Sequence, residues 1–202
     1  MVNAMRFASE CPGTDFYSSL TGNKAYFIFE NGFIFIGNNI SCNDSYEVET
    51  IIENRKLSGK FYFWNDEIKS KNGKVTNNYI YIENYGGIYA PDIKNLMYNI
   101  TSNNFLEIYF IHGMNIINER YIYYIFPKVD KNNFEKYVNN FEILVDSINI
   151  TAVKNKLNNI KEYVFLEQGS FDGIKVDNPC IIILYENKNE IYIYCRPFSK
   201  YR

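Results

Sequence analysis

The chain has 202 residues, 47% of them hydrophobic and 22% charged, with 21 basic against 23 acidic side chains and a single histidine. That is ample chain for a buried core and too apolar for a disordered or solvating segment. A formal net charge of −2 gives no basic stripe for nucleic acid, and no apolar run approaches a membrane-spanning helix.

The opening MVNAMRFASECPG lacks the apolar stretch of a signal peptide. This leaves a cytoplasmic protein, or a periplasmic or otherwise exported one with its signal peptide removed and its cysteines paired. Asn, Ile, Lys and Tyr are abundant and Ala scarce, the bias of AT-rich coding DNA. Glycosylation sequons at Asn39, Asn43, Asn99 and Asn149 are therefore expected by chance.

The first element is a hairpin. Ala25 to Phe29 and Phe33 to Ile36 flank Glu30-Asn31-Gly32, where Asn31-Gly32 suits a type I′ turn. Asp44-Ser45-Tyr46-Glu47 resembles a capping box ahead of Val48, Ile51 and Ile52 and predicts a short helix over 45–55. Lys60 to Trp64 and Asn78 to Ile82 read as strands from their aromatic and β-branched content, with Asn72-Gly73 as a turn between them. Pro91, followed by Ile93, Leu96, Met97 and Ile100, predicts a second short helix.

Leu106 to Ile111 and Arg120 to Phe126 are strong strands. Beyond them Phe134, Tyr137, Val138, Phe141, Leu144, Val145 and Ile148 form a stripe at helical spacing, which predicts a long amphipathic helix over about 131–148. Thr151 to Ile160 reads as a further short helix and Tyr163 to Leu166 as a strand. The chain closes on a hairpin, CIIILYENKNEIYIYC. The expected fold is α+β: an antiparallel sheet built from hairpins, packed by the long helix and the shorter ones. Residues 1–150 form the main domain, and 151–202 form a helix or strand plus hairpin packed on it.

The cysteines are Cys11, Cys42, Cys180 and Cys195, with no CxxC pair, and with one histidine they give no zinc site. A turn at Asn187-Lys188 sets Cys180 across from Cys195, so a cross-strand disulfide is possible there, leaving Cys11 and Cys42 as a second pair by elimination. The alternative is four small buried hydrophobes in a reducing compartment. Both hairpin faces are apolar, and one carries Tyr185, Tyr192 and Tyr194.

No catalytic motif, metal site or cofactor signature stands in the chain. His112, the only imidazole, would have to serve any Cys/His pair or Ser-His-Asp triad, and Gly86-Gly87 lacks the lysine of a phosphate loop. The 19 Tyr, 16 Phe and one Trp make 18% of the chain. Tyrosine is favoured in interface cores because it buries a large area and keeps a polar tip.

These features predict a non-enzymatic protein-binding domain of the immunity or inhibitor type, whose partner is a toxin or enzyme. Tyr185, Tyr192, Tyr194 and Trp64 are its candidate contact residues. Two alternatives stay open: a hydrolase of glycan-type substrates using Asp66 and Glu67 beside Trp64, and a small exported carrier of apolar ligands.

Overall fold

Alternation of period two, far more than helical spacing, governs this chain. A computed structural model describes residues 1–10, 17–187 and 190–197. The elements begin with β1 (Val2–Glu10), β2 (Tyr17–Phe29), β3 (Gly32–Cys42), β4 (Val48–Lys56), β5 (Phe61–Phe63) and β6 (Asp66–Glu67). Next come β7 (Asn72–Lys74), β8 (Tyr79–Ile82), β9 (Gly86–Tyr89), β10 (Leu96–Ile100), β11 (Phe105–Gly113) and β12 (Ile116–Pro127). A short helix α1 (Phe134–Asn139) precedes β13 (Phe141–Asp146), β14 (Ile150–Asn155) and β15 (Ile160–Phe165). The last are β16 (Gly169–Phe171), β17 (Ile174–Val176), β18 (Cys180–Asn187) and β19 (Glu190–Pro197).

Among the described residues these elements form three sheets and a ribbon. An eight-stranded sheet runs β1-β2-β3-β12-β9-β8-β5-β6, a four-stranded sheet β4-β11-β10-β7, and a five-stranded sheet β13-β14-β15-β18-β19, while β16 and β17 pair alone. The eight-stranded sheet is central. One of its faces sets Phe61, Phe63, Ile80 and Ile88 against Leu96, Tyr98, Leu106 and Ile108 of the four-stranded sheet. Its other face sets Phe27, Ile34, Ile36 and Phe126 against Val153, Val164 and Ile181 of the five-stranded sheet and Phe134 and Val138 of α1. The far side of the five-stranded sheet carries Tyr163, Phe165 and Ile182, covered by Phe171, Ile174 and Val176 of the ribbon. The architecture is a stack of sheets, and it is nearly all β.

The α+β expectation is thus corrected, and each misread helix has a physical cause. The stripe over 131–148 splits in two: α1 ends at Asn139, and β13 follows at Phe141. A register shift between Ile143 and Val145 bends β13, so Phe141 and Ile143 face one core while Leu144 and Val145 face the next. A bulged strand that carries apolar side chains on both faces imitates a helical stripe. The expected helices at 45–55 and after Pro91 are strands β4 and β10. There the spacings Val48–Ile52 and Leu96–Ile100, four residues each, fit one strand face as well as one helical turn. The expected helix at 151–160 is β14, a turn and the start of β15, with Leu157 exposed.

Both expected hairpins form with shifted turns. Phe29 pairs with Gly32, so Glu30-Asn31 make the loop, and neither Asn31 nor Gly32 has a positive φ. At the end of the chain Asn187 pairs with Glu190, one residue later than expected.

Phe141 is 6% exposed and its ring lies 5.2 Å from that of Phe29 and 5.8 Å from that of Phe126, joining β13 to the central sheet. Phe141→Ala is expected to cost about 3–5 kcal/mol in urea unfolding, through lost burial and the cavity left behind.

Candidate functional site

The central sheet carries an aromatic row that begins in the core and ends at the surface. Tyr124 on β12 pairs with Tyr89 on β9, Tyr89 with Tyr79 on β8, and the Trp64 amide, just past β5, donates to the Tyr79 carbonyl. The rings follow the register: Tyr124–Tyr89 centroids are 5.3 Å apart, Tyr89–Tyr79 4.9 Å and Tyr79–Trp64 4.8 Å, all tilted or edge-on. Tyr124 is 6% exposed, Tyr89 and Tyr79 are half-buried, and Trp64 reaches 36% exposure. Beside this row Tyr62 on β5 pairs with Tyr81 on β8 and with Glu67 on β6. Side chains directly opposite share a sheet face, so Glu67, Tyr62 and Tyr81 stand together.

Polar groups fix this end of the sheet. The Tyr62 hydroxyl donates to Glu83 at 3.1 Å, Lys131 sits 4.0 Å over the Tyr62 ring, and Lys60 pairs with Glu67 at 2.8 Å. The Lys60 ammonium holds the Glu67 carboxyl below its ordinary range. Burial, then the hydrogen bond to Glu83, pushes the Tyr62 phenol up; burial does the same for Tyr79 and Tyr89. These hydroxyls stay neutral.

Asp66 and Glu67 do not converge. They are consecutive on β6, opposite Phe63 and Tyr62 respectively, so they point to opposite faces. The acid pair expected for hydrolysis is not assembled.

The other predicted residues lie on different elements. Tyr185 and Tyr192 face each other across the terminal hairpin with ring centroids 6.0 Å apart, and Tyr194 is exposed on the edge strand β19, on a different sheet from Trp64. The shifted turn moves every partner by two while keeping each residue's face: Cys180 opposes Pro197 and Cys195 opposes Ile182. Cys180 and Cys195 are diagonal neighbours with free thiols, one buried and one exposed, and not the directly opposed pair expected. Burial and then the Cys195 thiol push the Cys180 thiol up to about 11. Cys42 is a buried free thiol, and Cys11 lies outside the described residues.

Gly86-Gly87 opens strand β9 and precedes no helix, so it is no anion site. Both glycines serve packing. Gly86 has φ +133° and lies against the Phe126 carbonyl, and a Cβ on Gly87 would stand 2.5 Å from the Phe134 ring, which needs that space to seat α1. His112 is partly buried, with Nε2 2.9 Å from the Thr50 hydroxyl and its ring among Phe110 and Tyr121.

Sequence reading missed a polar clamp between sheets. Asn23 donates to Asn38 (3.0 Å) and to the Ile148 carbonyl (3.1 Å), and Asn38 donates to Asp146 and the Ser147 carbonyl, each at 2.9 Å. Arg120 pairs with Asp146 at 2.7 Å beside a cleft of about 420 Å³. The Asn-rich composition hid these residues: nothing local separates Asn23 and Asn38 from their many exposed counterparts.

Residues 2–102 match polysaccharide lyase family 8, super-sandwich domain. The chain belongs to this lyase family. A hyaluronate lyase from Thermasporomyces composti is 21% identical over 196 residues, which cover 83% of this chain and 25% of that protein. Among solved structures, chondroitinase AC lyase is similar at TM-score 0.81 and 19% identity, over 96% of this chain and 32% of that one. A Paenibacillus xanthan lyase is similar at TM-score 0.81 and 21% identity, over 95% and 22%. A Streptomyces coelicolor A3 chondroitin AC lyase is similar at 0.74 and 15%, over 97% and 28%. The family 8 chain thus spans between 22% and 32% of these relatives' lengths.

Membership in a lyase family overturns the reading of a non-enzymatic protein binder of the immunity or inhibitor type. The glycan-directed alternative lay nearer, although the family's reaction is elimination and not hydrolysis. Among the described residues no helix is long and apolar enough to cross a membrane.

Burial lowers the His112 pKa from its ordinary 6.5, with Glu119 opposing weakly. The unfolded chain therefore takes up this proton first, so stability is expected to fall as pH drops through about 6.5. His112→Gln should remove that part of the slope in urea unfolding across pH 5–8. In thiol counting, Cys195 should react in the folded protein, and Cys180 and Cys42 only after unfolding.

Proposed function

We propose that this chain works as the β-sandwich module of an enzyme that breaks an acidic polysaccharide by elimination. Family membership over residues 2–102 carries the reading, and the names of the relatives — hyaluronate, chondroitin and xanthan lyases — supply the substrate class. Elimination at a uronic acid needs a base to take the C5 proton beside the carboxyl group. The electron pair left there forms the C4=C5 bond, the C4–O bond breaks, and the leaving oxygen takes a proton. No water is consumed, which separates the reaction from hydrolysis.

The half-buried tyrosines of the central sheet are poor candidates for that base. Burial holds the phenols of Tyr62, Tyr79 and Tyr89 above their ordinary range, so they remain protonated. His112 is packed among rings and bonded to Thr50. The module is suited to holding a polysaccharide chain, with the base supplied by parts of such an enzyme outside this module.

Native gel electrophoresis of the purified chain tests this. Hyaluronan, chondroitin sulfate or xanthan cast into the gel should retard the protein relative to a plain gel in at least one case. Unchanged mobility in all three would remove the reading.

A further inference from the structure

Resting on the polysaccharide reading above, we propose that the exposed end of the aromatic row, Trp64 with Tyr79 and the adjoining Tyr62–Tyr81 pair, is a polysaccharide-binding face that stacks on pyranose rings. Three independent observations converge on it.

The first is exposure. These rings stand on the face of the central sheet that, further inward, is sealed by the five-stranded sheet and α1. At strands β5, β6 and β8 the cover thins. Tyr62, Tyr79 and Tyr81 are half-buried and Trp64 is 36% exposed, although the opposite face of the same strands is fully buried through Phe61, Phe63, Ile80 and Ile82. Clustered, half-exposed aromatic surface marks a binding site far more often than isolated exposed rings do.

The second is backbone strain. Trp64 sits at φ +54°, in the left-handed region. For a bulky residue this is a genuine outlier, and such strain persists where the surrounding structure enforces it, commonly at functional sites. Here the Trp64 amide bonded to the Tyr79 carbonyl at 2.8 Å and the indole set edge-on to Tyr79 enforce it. A glycine or asparagine would turn the chain there at less cost, but would present no indole.

The third is charge. The rim pairs Lys60 with Glu67, and sets Lys131 over the Tyr62 ring whose hydroxyl bonds Glu83. Lys60 and Lys131 thus stand beside Glu67 and Glu83, so the charges at this rim are engaged with one another or with a ring. What the face offers is flat π surface with neutral hydroxyls and paired charges at its edge, the complement of a sugar ring with its apolar C–H face and ring of hydroxyls. Such binding depends on contact more than on long-range attraction and is only weakly screened by salt.

Trp64 is the only tryptophan in the sequence, so its fluorescence reports this face alone. Titrating the intact chain with oligosaccharides of hyaluronan, chondroitin sulfate and xanthan should change the Trp64 emission in a saturable way that persists at high salt. Trp64→Ala and Tyr81→Ala should each lower the retardation affinity for the polysaccharide that slows the wild type by roughly tenfold, the scale of one stacked ring. Tyr194→Ala, on the other sheet, should leave it unchanged, and thermal melts of all three variants confirm folding. If the wild type is retarded but Trp64→Ala and Tyr81→Ala are retarded equally, or Trp64 emission stays unaltered, the face is not the binding site while the polysaccharide reading stands. If the wild type is not retarded at all, both fail.

Discussion

Burial of both faces of the eight-stranded sheet is the constraint on which the rest of the structure depends. A sheet with one wet face alternates apolar and polar residues; one covered on both sides must be apolar at nearly every position. That is why β3 reads GFIFIGN, with Ile34 and Ile36 toward the five-stranded sheet and Phe33 and Phe35 against the four-stranded one. The same demand explains the aromatic excess. Large rings fill the gap between stacked sheets, edge-on at Tyr26–Phe35, stacked at Phe35–Tyr123, and edge-on or tilted along Tyr124, Tyr89 and Tyr79.

Stacking sheets also creates problems that particular residues solve. The helix α1 reaches the central sheet only because Gly87 leaves room for the Phe134 ring. Polar backbone brought down by the turn at Ser147–Ile148 is met by the side-chain amides of Asn23 and Asn38, both buried. Buried amides bonded this way cost little, whereas either one alone would be strongly unfavourable. A scaffold so held keeps the Tyr124–Tyr89–Tyr79–Trp64 row in fixed register. The aromatic face at its end is an extension of the core, with Tyr62, Tyr79 and Tyr81 set by strand pairing and Trp64 by the turn between β5 and β6.

The parts of the fold legible in the sequence were the strongly β-branched and aromatic runs: the Ala25–Ile36 hairpin, Lys60–Trp64, Asn78–Ile82, Leu106–Ile111, Arg120–Phe126 and the terminal hairpin. The parts misread were strands taken for helices, and Asn72-Gly73, expected as a turn, which open strand β7 and pair with Asn99 and Tyr98. A separation of four residues satisfies both periods, and the bulge in β13 destroys the alternation that would have told them apart. Of the candidate site, Trp64 and its acidic neighbours were visible as a cluster, but the cluster was misunderstood. Asp66 and Glu67 are adjacent in sequence and opposite in direction, while Tyr79, far along the chain, is the ring that packs against the indole. Cys180 and Cys195 are diagonal and not directly opposed for a related reason, since moving one turn by one residue shifts every cross-strand partner by two.

The sequence by itself determined the chemistry available: near-neutral charge, a solitary imidazole, no metal or nucleotide motif, and rings in excess. Those are properties of residue types and survive any arrangement of the chain. Only the tertiary structure decided which runs became strands, which of the rings were sealed in the core and which reached the surface. Burial on one face or two depends on what packs against a strand, and that partner lies far away in sequence.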